Sequence, residues 1–395
     1  MSTARGRRGT ARRAALVTTL AGVAGLLAGC GYQPNLYDEH GIGRPRPRVG
    51  RYATDTIGGA SWRDPNLLGA HGYYNSLLEG DGIVYTCRAG HIDIAHTRKS
   101  ADWTAYIAER TYAMIKNGQT RLSLVLSDPV RYSMTLNYPC DWDDRPAEER
   151  DELAREAAIA LGQYVSYLGS IWHEIITWFG YRNVPIYGEF PSSFSWEDSF
   201  SDLLGTHLGA AALRDPEHSF DKAMTLALKK EMDKLGAQPT KIALDASRTV
   251  KGQWYSPGFL FLLEMKKRNL DIGLDDGHIT PWIIRGVEGC PEAEPLSYAV
   301  PTLAPVFELG FWVKVEIKPG GLERDHLLEA AYPGLANRPR TIVPAVHFHP
   351  IMEHIRTEAV AKYGPDVDTP WPEDGPEPNS PVAAESSSHP TEHTP

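Results

Sequence analysis

Four cysteines in 395 residues, no Cys-x-x-Cys pair, and 40 Lys and Arg against 50 Asp and Glu set the first exclusions. Without a basic excess the chain has no electrostatic footprint for nucleic acid. Without zinc-ribbon spacing it has no structural zinc site built on thiolates. The composition is neither collagen-like nor broadly disordered, and the length suits one large domain or two ordinary ones. Past its ends the chain also lacks an obvious repeat, linker or low-complexity break.

The charge is unevenly spread. Residues 1–29 carry five Arg and no acid, and residues 365–395 carry seven acids and no Lys or Arg. What remains, residues 30–364, has 35 bases against 43 acids. The leader is basic at its start and apolar from Ala14 to Leu27, the length of a signal-peptide h-region and short for a bilayer span. It ends Leu27-Ala28-Gly29-Cys30, which reads as a bacterial lipobox. The expectation is a signal peptide over 1–29 and lipidation of Cys30, with several acyl chains attaching the protein to a membrane. The folded part then faces the periplasm or exterior of a bacterial cell envelope. Residues 30–50, rich in Gly and Pro, read as a flexible tether. Residues 51–364 read as one globular domain, and 365–395 as a disordered acidic, Pro-rich tail. The mild acidity of the middle argues against simple attraction to anionic lipid, leaving attachment to the anchor.

Once Cys30 is set aside, Cys87, Cys140 and Cys290 remain, which allows one disulfide and a free thiol, or three thiols. Spacing does not choose a pair.

The apolar patterning alternates between strand and helix. Gly82–Thr86 and His91–Ala95 read as extended, and Ala101–Asn117 has helical spacing. Leu122–Leu126 and Tyr132–Leu136, split by Ser127-Asp128-Pro129, read as a hairpin. A long helix is expected from about Pro146 to Phe179, with Pro at its start. Helices follow over about 196–213 and 216–235, the second with Asp215 as N-cap, and Phe307–Ile317 ends as a half-buried strand. The expected class is α+β, a single large domain with a long central helix packed against mixed or antiparallel strands.

Four groups can carry chemistry. The long helix has a small and polar stripe through Gly162, Ser166, Gly169, Ser170, His173, Glu174 and Thr177. Its titratable pair needs a partner, a metal or a cavity if buried. His173-Glu174-Ile175-Ile176-Thr177 misses the zincin HExxH pattern at its last position. In the next helix, Ser195 and Asp198 fit a capping box, leaving Glu197 and Asp202, with His207 a looser candidate. The third group runs from Cys87 to Arg98. If His91–Ala95 is extended, His91 and Asp93 share a face and the isoleucines take the other; His96 follows. Cys87, or Cys140, beside an imidazole is a possible nucleophile. The fourth, His347-Phe348-His349 with Glu353 and His354, has metal-like spacing but is also explained as a helix start at Pro350. Asp271–His278 lacks the spacing of a calcium loop and reads as turns.

Together the lipobox, TCRAGHIDIAHTRKSADWT, WHEIITWFGY, WEDSFSDLLG and RNLDIGLDDGHITPW resemble a family of bacterial envelope lipoproteins classed as a domain of unknown function. That resemblance spans about residues 50–364, implies a lipoprotein, and carries no activity with it. A weaker likeness, in the order of GHIDIA and then Cys140, is to permuted papain-like envelope hydrolases and acyltransferases.

Three functions follow as expectations. The first is a metal-dependent hydrolase in which His91, His96, His173, Glu197 and Asp202 hold a divalent metal such as zinc and Glu174 serves as general base. The second is a Cys–His hydrolase or acyltransferase using Cys87 or Cys140 with His91. The third is a non-enzymatic lipoprotein that binds cell wall or an envelope-protein partner.

Overall fold

The computed structural model describes residues 42–371 apart from 56–60, 75–77, 129, 182–189, 257–262, 291–292 and 322. The leader, Cys30 and the chain beyond 371 lie outside the described residues.

Small residues decide where the helices cross. Three helices pack on one another: α1 (Ile94–Lys116), α2 (Ala147–Trp178) and α3 (Asp198–Leu213). Gly162 of α2 abuts Thr104 and Ala108 of α1, and Gly205 and Gly209 of α3 abut Thr97 and Ala101, with no room for a Cβ. Ser166 Oγ donates to the Ser100 carbonyl, and Ser100 Oγ meets Ser170 Oγ at 3.2 Å. The small polar stripe of the long helix is therefore its seam with α1. Helix α4 (Phe220–Leu235) continues from α3, and Asp215 caps a turn at Glu217 and His218 ahead of it instead of opening the helix.

Ahead of α1 stands a hairpin of β1 (Ile83–Thr86) and β2 (Gly90–Asp93), with Ile83 opposite Asp93. Strands β3 (Arg121–Val125) and β4 (Arg131–Asn137) form the expected second hairpin. The later chain holds α5 (Thr240–Thr249), four two-residue strands, β5 (Tyr255–Ser256), β6 (Glu264–Met265), β7 (His278–Ile279) and β8 (Tyr298–Ala299), and α6 (Ala304–Glu308). Strand β9 (Trp312–Lys318) then joins β4 in an antiparallel sheet of order β3-β4-β9. Tyr132, Met134, Leu136, Val313, Val315 and Ile317 turn its buried face to the helices, as period-two alternation requires. Helices α7 (Arg324–Ala331) and α8 (Pro344–Tyr363) close the chain. The fold is α+β in a single domain.

A second, aromatic core gathers Trp62, Tyr85, Trp196, Trp254, Tyr255 and Trp282. Beside it, Cys87 and Cys290 form a disulfide across 203 residues, with Cα atoms 5.1 Å apart, leaving Cys140 exposed and free.

Both expected boundaries of the globular part shift outward. In the segment read as a tether, Ile42 is buried and the Arg48 guanidinium sits between Asp102 and Glu79. Arg98, also fully buried, pairs with Asp81 in the same network. A charge this deep stays only where carboxylates meet it, so residues 42–50 are part of the fold. At the other end Val367 is buried and accepts the Arg268 N–H, and Trp371 packs on Trp254. Among the described residues no helix is long and apolar enough to cross a membrane.

Candidate metal centre

The site grows out of one junction. Strand β2 ends at Asp93, which becomes the N-cap of α1: its Oδ1 accepts the Ala95 N–H at 2.8 Å. The chain therefore turns helical at Ile94 instead of staying extended to Ala95, and one turn later it returns His96 to the same side. Helix α3 starts opposite, with Asp198 in its first turn.

His96 Nδ1 lies 2.8 Å from Asp198 Oδ1 and 3.4 Å from Asp93 Oδ2. One ligand atom from each of the three falls within 4.8 Å of the others. Ligands about 2.1 Å from a tetrahedral ion stand about 3.4 Å apart, so the three need little movement to meet one. His96 Nδ1 and Asp198 Oδ1 are buried and pair with each other, while Glu197 Oε2 is buried with no hydrogen bond. Neighbouring donors fix the acids: Ser195 donates to Asp198 Oδ2 at 2.7 Å, the Ala53 N–H to Glu197 Oε1 at 2.9 Å, and the Arg51 N–H to the converging atom Asp93 Oδ2 itself at 2.6 Å. Outer donors that fix carboxylates in this way orient ligands.

Electrostatics favour cations here. Burial and Lys99 work against a charged His96, yet Asp198, Asp93 and Asp202 hold its pKa up at about 10. Burial raises Asp93 to about 6 against the pull of His96. Burial would raise Asp198 too, but His96, Ser195 and Lys99 bring it below the usual carboxylate range. Burial, reinforced by Asp198, pushes Glu174 and Glu197 upward.

The family model described as Protein of unknown function (DUF4056) matches residues 30–258, more than half of the chain and the whole of this site. The chain belongs to the DUF4056 family. No curated protein and no solved structure matches it.

Within the DUF4056 match the other expected site residues scatter. His91 is on the Asp93 side of β2, as alternation requires, but its ring enters the aromatic core between Tyr85 and Trp62. There Nε2 donates to the Ala243 carbonyl and burial lowers the pKa to about 4, so it is a core histidine and not a ligand of this group. Cys87 is not a nucleophile, because its sulfur is in the disulfide. Cys140 is exposed while His91 is buried, so that pairing is absent too. His173 turns from the triad to Asp128, its Nδ1 3.0 Å from Oδ1. Glu174 accepts the Phe194 N–H at 2.5 Å and feels the charge of Asp198. Asp202 accepts from Ser100 and lies 3.5 Å from Lys99 Nζ, next to the triad but engaged. Glu197 feels the charges of Asp198 and Asp93.

His207 is satisfied by Gln163 and the Ala299 carbonyl. In the fourth group His347 bonds the backbone of Val343, where α8 begins six residues before Pro350, and His354 faces Glu358. An apolar pocket of about 100 Å³, bounded by Tyr167, Ile272, Pro344 and Phe348 among others, contains no residue of the triad.

Asp93 shares a face with His91 in the sequence, but its register with His96 depends on the helix starting at Ile94. The capping box expected of Ser195 and Asp198 does not form: α3 opens at Asp198 with Glu197 as N-cap and no side-chain cap, and Ser195 Oγ donates instead to Asp198 Oδ2, which leaves Oδ1 for His96.

Proposed function

We propose that Asp93, His96 and Asp198 hold a divalent metal ion and that the protein is a metal-dependent hydrolase, carried at the cell envelope by a lipid on Cys30. The observation that supports this reading is the convergence of His96 Nδ1, Asp198 Oδ1 and Asp93 Oδ2. A mixed imidazole and carboxylate set suits zinc and other borderline or hard divalent ions. A divalent ion there supplies Lewis acidity and lowers the pKa of water. The chain's own residues would do the rest. Glu197, with Oε2 buried and unbonded and its pKa raised by burial, would take the proton in place of Glu174. Ser195 and the Arg51 and Ala53 amides keep the acids aimed.

The test is hydrolysis of a panel of ester, amide and phosphoester substrates by full-length protein, with and without added zinc or manganese. The reading expects turnover that chelation abolishes and that Glu197→Gln lowers by about 10²-fold or more without loss of bound metal. Metal-independent turnover, or an unaffected Glu197→Gln, contradicts it.

A further inference from the structure

We infer that residues 48–55 form a strap that closes the metal centre and is released at its Asp55 end; the inference rests on the metal reading above. Four observations place the strap over the site. Gly50 lies against the His96 ring, where a side chain would run into the imidazole and Asp93 Oδ2. The Arg51 N–H is bonded to Asp93 Oδ2, itself a ligand atom of the group. Two residues on, the Ala53 N–H is bonded to Glu197 Oε1. His96 in consequence keeps only 16% of its side-chain surface. Amides at alternate positions reach one surface when a chain runs extended, and here that surface is the site.

The two ends are fastened unequally. At Arg48 the guanidinium is 1% exposed and pairs with Asp102 at 3.0 Å and Glu79 at 2.7 Å, a contact that is costly to break by halves. At Asp55 the carboxylate meets Lys251 Nζ at 3.0 Å, Tyr255 Oη at 3.0 Å and Arg248 Nε at 3.6 Å. Lys251 and Arg248 are 39% and 54% exposed, and exposed ion pairs hold weakly. The strap therefore pivots at Arg48 and opens at Asp55. Opening at that end also draws Ala53, fully buried in the aromatic core with its carbonyl accepting from Ser247 at 2.7 Å, out of its seat.

The test compares full-length parent with Asp55→Asn and Lys251→Ala, neither of which touches a ligand. Zinc is loaded and its release into excess chelator is timed, and hydrogen exchange is followed over residues 50–53. Both variants should release zinc about five- to tenfold faster, and their Arg51 and Ala53 amides should exchange faster by a similar factor. Zinc bound by all three proteins and released at one rate, with unchanged exchange, overturns the strap and leaves the metal centre standing. Failure of the parent to bind zinc or manganese at all overturns the metal centre, and with it the strap's role over that centre, even if exchange is faster.

Discussion

His96 and Asp198 face each other across α1 and α3 as a buried ion pair, with Nδ1 and Oδ1 2.8 Å apart. The two helices can bring them together because Gly205 and Gly209 let α3 lie directly on Thr97 and Ala101 of α1. Close backbone packing and the site are one arrangement.

Removing one partner of this pair should cost more than an average substitution. Asp198→Ala leaves the His96 charge without its nearest carboxylate, facing only Asp93 and Asp202, and the Asp198 side chain is 7% exposed. In metal-free protein the expected loss is about 3–5 kcal/mol by urea denaturation, the range for an orphaned buried charge. A loss below about 1 kcal/mol would show that the pair is solvated and the site open.

The helix seam makes a separate prediction. A Cβ at Gly205 would meet the Thr97 carbonyl, a backbone atom that cannot swing away. Gly205→Ala should therefore destabilise by about 1–3 kcal/mol despite the better helix propensity of Ala. A neutral or stabilising effect would mean that the helices stand farther apart.

His173 supplies the pH dependence. Burial disfavours its charge, but Asp128 outweighs it and raises the pKa from 6.5 to about 9. A group bound more tightly to its proton in the folded state stabilises fully below its unfolded pKa, here about 6.5, and loses that stabilisation as pH rises through about 9. The fall in stability between those limits should flatten in His173→Ala, which below pH 6.5 should be about 1.5–3 kcal/mol less stable than the parent. Thermal melts from pH 6 to pH 10 check this; identical slopes in the two proteins would contradict it.

The disulfide predicts a redox sensitivity of stability. Cys87–Cys290 closes 203 residues, and its reduction should cost about 2–5 kcal/mol. Of Cys87, Cys140 and Cys290, thiol labelling of the native oxidised protein should mark Cys140 alone, and labelling of Cys87 before reduction would contradict the pairing.

Where the chain's chemistry is local, the sequence is readable. Pro146 and the apolar period locate α2 to within a residue at each end, and alternation puts Ile92 in the main core with His91 and Asp93 on the opposite side. Where it depends on a junction or on distant parts, the sequence falls short. GHIDIA has strand character throughout, yet Asp93 caps a helix, and only that step brings His96 back to Asp93. Asp198 takes the neighbouring Ser195 hydroxyl on one oxygen, not the expected cap, and makes a long-range contact with the other. Cys290 reaches Cys87, and Arg48 reaches Asp102, through packing that no spacing encodes.

The most direct measurement is the stoichiometry of tightly bound zinc or manganese on full-length protein, by elemental analysis and titration calorimetry, in the parent and in Asp198→Asn. The account predicts one ion per chain in the parent and loss of that ion in the folded variant. A folded parent that binds no divalent ion, or an Asp198→Asn protein that binds one as tightly as the parent, would contradict it.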